Sequence, residues 1–165
     1  MKKTMRKLVL EFLRDSKRSD REIAEVLGVS QPTVTRTRKR LVTTGIIREF
    51  TVMPNFAKMG YEIMVIASFR LNMSKDTRQR MAKWAKARPN IIFGAEALGD
   101  GKNGVLISLH KSYTDLFKFI KGMRVDLGDS LKEYSLLFVS LEDSIIKPLS
   151  PKYIAEHEIV EDKMS

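Results

Sequence analysis

Two helix-start signals stand close together in this chain, with a helix-stop between them. Ser19-Asp20-Arg21-Glu22 is a capping box, in which the serine oxygen and the glutamate side chain each accept from a backbone N–H that the first turn leaves unpaired. Gly28 then ends the helix, since glycine takes the left-handed conformation at least cost. Ser30 opens the next one, with Pro32 in its first turn, where a missing N–H is harmless. The segment between can only be a tight turn, so residues 19–44 read as helix, turn, helix. In front of them Met5, Leu8, Val9, Phe12 and Leu13 recur at helical spacing, predicting another amphipathic helix over 4–16. After Gly45, Ile46 to Val52 reads as a strand, half of a wing hairpin. Residues 1–52 are therefore expected to form a winged helix-turn-helix.

Charge points to the partner of this segment. The chain carries 30 basic and 20 acidic residues, a net charge of +10. Residues 1–50 hold 13 Lys or Arg against 6 Asp or Glu, so most of the excess lies there. A polyanion is the partner such a segment favours, because neutralising successive phosphates releases condensed counterions. Around the helix that starts at Ser30, Leu41 falls over Val34, and Pro32, Arg36, Lys39, Arg40 and Thr43 fall on the opposite side. That helix has no acid. Such a face suits the major groove of double-stranded DNA, where Arg pairs with guanine, Gln with adenine and Thr meets a thymine methyl. Gln31, Thr33, Thr35 and Arg36 are the base-reading candidates, and Lys39, Arg40 and Arg48 the phosphate contacts. The bland alternative is a solvated basic face. Arg38 stands about 40° from Val34, a position from which it snorkels beside the core.

Residues 53–60, with Pro54 and Gly60, form a linker to a different pattern. From Tyr61 to Leu71 a strand is apolar on both faces, with Ile63, Val65, Ala67, Phe69 and Leu71 alternating with Met64 and Ile66. Ser74 caps a helix with Met81, Trp84 and Ala85 inward, and Pro89 ends it. Strands at 91–98 and 105–110 flank the turn Gly99-Asp100-Gly101-Lys102-Asn103-Gly104. Ser112 caps a helix carrying Leu116, Phe117, Ile120 and Met123 inward, and 134–141 is the last strand. The order βαββαβ over 61–143 is the ferredoxin-like arrangement, with an antiparallel sheet and both helices on one face. The bare face calls for a second sheet, most simply that of another subunit. The tail 144–165, with Pro148, Pro151 and acids from Glu156 to Asp162, folds over the sheet or the partner, or stays disordered.

Several functions are disfavoured. No cysteine and only two histidines, His110 and His157, leave little for a metal site. No apolar run approaches the roughly 20 residues that cross a bilayer, and Glu11, Arg14 and Asp15 interrupt any signal peptide, so the chain reads as cytoplasmic with no membrane partner. Trp84 reads as core and His110 as structural or exposed rather than a general base, since no Ser, Cys or Asp is placed in sequence to suggest a catalytic partnership. The glycines of the 99–104 turn either offer N–H groups to a ligand carboxylate beside Lys102, or only turn the chain.

Ile23 to Ser30, Val34 to Ile47 with Leu41 and Gly45-Ile46-Ile47, and Pro54 to Tyr61 together resemble the Lrp/AsnC, or feast/famine, transcription regulators. The likeness spans nearly the whole chain. It implies an α+β protein, a helix-turn-helix followed by a ferredoxin-like (ACT-like) domain, acting as a sequence-specific DNA-binding regulator without catalysis or cofactor. It also implies a homodimer or higher oligomer through the C-terminal domain and an amino-acid or other small effector. Gly99, Asp100, Gly101, Lys102 and Asn103 occupy the place of the family's Gly-x-x-Asp turn, which lines the effector pocket, but no acid stands at the expected offset. An aliphatic residue is usual where Arg38 stands. Siroheme decarboxylases share the layout and would be expected to offer His and Arg around a large pocket, whereas Ile91-Ile92-Phe93-Gly94 offers neither. A sequence-tolerant architectural DNA binder is the remaining alternative.

Overall fold

The computed structural model describes residues 3–72 and 74–164, the last six by backbone alone. In chain order the elements are α1 (Lys3–Arg14), α2 (Asp20–Leu27), α3 (Gln31–Thr43), β1 (Ile63–Leu71), α4 (Lys75–Lys86), β2 (Ile91–Gly99), β3 (Lys102–His110), α5 (Tyr113–Leu127), β4 (Leu131–Ser140) and α6 (Lys152–Met164). They sort into two compact units, 1–53 with 148–165, and 54–147.

The first unit is built on the capping signals. Ser19 Oγ accepts from Glu22 N while Glu22 reaches back to Ser19 N at 2.7 Å, and Gly28 closes α2 at φ 65°. Met5, Leu8 and Phe12 from α1, Ile23 and Ala24 from α2, and Val34 and Leu41 from α3 make one buried cluster. Burying such side chains contributes about 1.5–3 kcal/mol each before entropy is charged, which is what holds short helices together. Glu11 is buried at the end of α1, where the guanidinium groups of Arg14 and Arg18 both meet its carboxylate.

Two expectations need correction in this unit. Residues 46–52 form no strand, because no second strand lies beside them to complete a ladder. Instead Ile47 N donates back to Leu41 O at 3.0 Å, and Phe50 sets its ring edge-on to Phe12 at 5.4 Å. Nor do residues 152–164 of the tail stay disordered. Residues 152–164 form α6, which packs on α1: Ala155 is fully buried, Arg14 donates to its carbonyl at 3.4 Å, and Arg6 pairs with Glu158 at 2.9 Å. The small alanine is what allows a helix to approach that closely. Lys2 and the side chains of Glu161 and Asp162 lie outside the described residues.

The second unit is a four-stranded antiparallel sheet in the order β2-β3-β1-β4. One face of β1, from Ile63 to Leu71, packs with Leu106 under Trp84 of α4 and Leu116, Phe119, Met123 and Leu127 of α5. Trp84 is core, as its spacing predicts, and its Nε1 donates to Asp126 at 3.0 Å. The other sheet face carries Met64, Ile66, Val105, Ile107 and Leu137 by register, with Phe93 opposite Ile107. Leu137 is 66% exposed and Phe93 50%. The βαββαβ order and the one-sided helices are those of a ferredoxin-like domain.

Between β2 and β3 the expected six-residue loop contracts to two residues. Gly99 pairs with Lys102, leaving Asp100 and Gly101 as the turn, at φ 49° and 68°. Positive φ at both central positions is the hairpin turn whose twist matches the strands, and Asp-Gly suits it.

Candidate nucleic-acid interface

Helix α3 begins at Ser30, whose hydroxyl meets Thr33 Oγ1 at 2.8 Å and makes no bond to the helix N–H groups. Val34 and Leu41 seat the helix on the core, 1% and 0% exposed. The rest of the helix follows from that seating by the helical increment. Gln31, Pro32, Thr35, Arg36 and Lys39 line one shallow depression on its outer side. Arg40 is exposed nearby in sequence, Thr33 is half-buried, and Arg48 is exposed on the extended segment that replaces the wing.

The arginines around the helix-turn-helix are not all equally available. Arg14 and Arg18 are tied to Glu11, Arg21 to Glu25 at 3.2 Å, and Arg38 to Asp20 at 2.7 Å. Arg36, Lys39, Arg40 and Arg48 have no acidic partner among the described residues. Arg38 also lies over the Phe12 ring at 4.5 Å and donates to the Arg18 carbonyl, the snorkelling position its angle predicts. Cation–π contact and an ion pair together take it out of service for an external ligand.

Asp20 is the residue that sequence reasoning missed. Besides starting α2, it binds Arg38 and accepts from the Thr35 hydroxyl at 2.6 Å, so it locks α2 to α3. Thr35 also bonds back to the Gln31 carbonyl at 3.2 Å. Its hydroxyl is therefore committed, and the methyl is the group it can offer a base.

The turn residues expected to face an effector serve the hairpin. Asn103 pairs with the backbone at the end of β1, accepting from Leu71 N at 2.8 Å and donating to Leu71 O at 2.7 Å. Lys102 pairs with Glu133 at 2.8 Å, and its ammonium holds that carboxyl below the ordinary carboxylate range. Gly99, Asp100 and Gly101 form the turn itself.

His110 is buried, not exposed, and has partners that its place in the sequence did not suggest. Ser108, two residues back along β3, meets its Nε2 at 2.9 Å, and Asp115 at the start of α5 lies 3.6 Å from its Nδ1. A strand places residues two apart on one face, which is the signal that pairs Ser108 with His110. Ser108 and His110 are both fully buried, so no substrate reaches the serine. Burial pushes the imidazole below its usual range, against the opposing pull of Asp115.

A basic, acid-free helix outermost in a helix-turn-helix, in a chain that also carries a ferredoxin-like sheet, defines a two-domain regulator that works on DNA. Comparison with known proteins agrees. The family model for a homeodomain-like domain matches residues 1–48. An HTH-type transcriptional regulator of Pyrococcus furiosus is 35% identical over 133 residues, 81% of this chain and 84% of that one. Among solved structures, an AsnC family transcriptional regulator from Agrobacterium tumefaciens has a TM-score of 0.75 at 19% identity, over 93% of this chain and 99% of that one. A transcriptional regulator from Neisseria meningitidis, solved as a complex with L-Met, gives 0.75 at 16% identity, again over 93% and 99%. The chain belongs to the Lrp/AsnC family and is a DNA-binding transcriptional regulator.

Proposed function

We propose that the protein recognises a two-fold symmetric DNA site as a dimer, with one α3 from each subunit in successive major grooves. Gln31, Thr35 and Arg36 read base edges, Thr33 supports the helix start, and Lys39, Arg40 and Arg48 hold phosphates. The observation that carries this reading is on α3 and the segment after it: Arg38 is held by Asp20 and lies over Phe12, while Arg36, Lys39, Arg40 and Arg48 are exposed with no acidic partner among the described residues. The half-site spacing that follows is about 10 bp or a multiple of it.

The apolar sheet face supports dimerisation through the second unit. Phe93 and Leu137 are too exposed for a stable monomer surface in the company of Ile66, Val105 and Ile107. An amino-acid effector is supported by the L-Met bound to the Neisseria neighbour. It would act by favouring one placement of the DNA-binding units, since a ligand shifts an equilibrium only through differential affinity. We propose no catalysis and a cytoplasmic location. Among the described residues no helix is long and apolar enough to cross a membrane, and the Ser108-His110-Asp115 chain is closed to solvent at its serine.

Fluorescence anisotropy with the protein's own promoter duplex and a random duplex, across a salt series, tests the proposal. Tighter binding to the promoter that weakens steeply with salt is expected. Equal affinity for both duplexes would leave only an architectural binder.

A further inference from the structure

Helix α4 is dressed unlike its neighbour on the sheet. From Lys75 to Arg88 the chain carries six basic residues and one acid, Asp76, whereas the rest of residues 51–165 holds eleven basic residues against thirteen acids. The net positive charge of that whole stretch therefore comes from α4 and its end. By contrast α5 sets Lys118, Lys121 and Arg124 against Asp115 and Asp126, with Tyr113, Phe117 and Val125 exposed among them. Trp84 seats α4 on the core, and by the helical increment Lys75, Arg78, Lys83 and Lys86 fall within about 140° of one another on the side away from it. Gln79 and Ala82 lie between them, and all six are exposed.

Some of these cations are engaged and others are not. Arg80 pairs with Asp76 at 3.3 Å and donates to Ser130, while Arg88 pairs with Asp126 and lies over the Trp84 ring at 4.4 Å. Arg78 meets Glu96 of β2 at 3.3 Å, but the two side chains are 57% and 62% exposed, so the pair is weak and gives way to a stronger anion. Lys75, Lys83 and Lys86 have no acidic partner among the described residues.

Solvation alone does not account for this face. A helix that only meets water gains from opposite charges three and four apart, whereas Lys75 and Arg78, Arg80 and Lys83, and Lys83 and Lys86 set like charges three apart. Lys83 and Lys86 complement the negative end of the helix dipole, but Lys75 and Arg78 stand at its positive end, where cations are disfavoured. A polyanion laid along the face relieves both conflicts. A membrane surface would call for large apolar residues beside the cations, and α4 packs its own, Met81 and Trp84, against the sheet.

We propose that the outer face of α4 is a second DNA surface, on which Lys75, Arg78, Lys83 and Lys86 hold phosphates of duplex outside the bases that α3 reads. The occupant is the ligand this regulator already has. Flexible lysines offer charge without the fixed geometry that base recognition demands, so this face adds affinity and no sequence preference.

The test is fluorescence anisotropy of the full chain across a salt series, on a promoter duplex of about 25 bp, enough for two half-sites one turn apart, and on one of about 80 bp. The triple variant Lys75→Gln, Lys83→Gln, Lys86→Gln should weaken the longer complex at least about tenfold at about 0.1 M salt and lower its log–log salt slope by about three units or more. Its affinity for the shorter duplex should equal the parent's. The loss should persist when the DNA outside the promoter's centre is replaced by random sequence. A control, Lys118→Gln, Lys121→Gln, Lys132→Gln, removes the same charge from other exposed positions and should bind both duplexes as the parent does. Should the triple variant fail to fold, Lys86→Gln alone carries the test, with a fall in slope of about one unit or more. An unchanged slope on the longer duplex would leave the face to water, an equal loss on both lengths would move the lysines into the recognised site, and an equal loss in the control would assign the effect to net charge; each overturns the proposal. Equal affinity of the parent for promoter and random duplex would instead count against base reading by α3, and the length and salt dependence would still decide the role of α4.

Discussion

Arg36 and Arg38 stand two positions apart on α3 and are put to opposite uses. Arg38 is held by Asp20 and lies over Phe12, whereas Arg36 lines the outer depression with Gln31 and Lys39. Arg36→Ala should therefore relax sequence preference, with the promoter-to-random affinity ratio falling by about 1–3 kcal/mol. Lys39→Ala should instead weaken binding to every duplex and reduce the salt slope by about one unit. Both are read from anisotropy titrations at several salt concentrations, and identical behaviour of the two variants would refute the division of roles. At His110 the prediction concerns stability. Because burial lowers its folded-state pKa below the ordinary value of 6.5, the unfolded chain takes up the proton first as pH falls. Its contribution is thus full above that value and is lost below it, until the folded imidazole also protonates. Urea midpoints between about pH 7.5 and 5.5 should fall more in the parent than in His110→Asn. Helical angle alone predicted the seating of Arg38. It was blind to Asp20, because the lock between Asp20, Thr35 and Arg38 joins different helices.

Helix ends were the most legible elements, since a cap is satisfied within a few residues of itself. Ser19, Glu22, Gly28, Ser74 and Ser112 all do in space what their spacing implies. Gly28→Ala should cost about 1 kcal/mol in chemical denaturation, purely through backbone strain, as nothing lies within 4 Å of the added Cβ. Glu11→Gln should cost about 2 kcal/mol, since it leaves Arg14 and Arg18 without their shared carboxylate. The strand expected over 46–52 illustrates the opposite case. Apolar residues such as Ile46, Ile47, Phe50 and Val52 favour an extended chain, but a strand exists only with a partner, and Phe50 meets the Phe12 ring instead. The 99–104 loop contracts for a related reason: pairing from Gly99 to Lys102 satisfies backbone groups that a longer loop would leave to water.

For the molecule as a whole, the apolar sheet face and the C-terminal helix carry the consequences. Leu137→Glu, on the uncovered face, should convert the assembly to monomers in sedimentation analysis and weaken DNA binding with it; an unchanged subunit number would show that the dimer forms elsewhere. The sequence alone determined the local features: where helices start and stop, which face of each is apolar, the βαββαβ order and the concentration of positive charge before residue 50. Each depends on neighbours in the chain or on a fixed periodicity. Only the tertiary structure decided that α6 returns to α1, that Asp20 joins two helices, that Ser108 and Asp115 meet His110, and that Arg78 and Arg88 of α4 find acids on other elements. Those outcomes depend on which surfaces come into contact, and contacts between residues far apart in the chain leave no periodic trace in it.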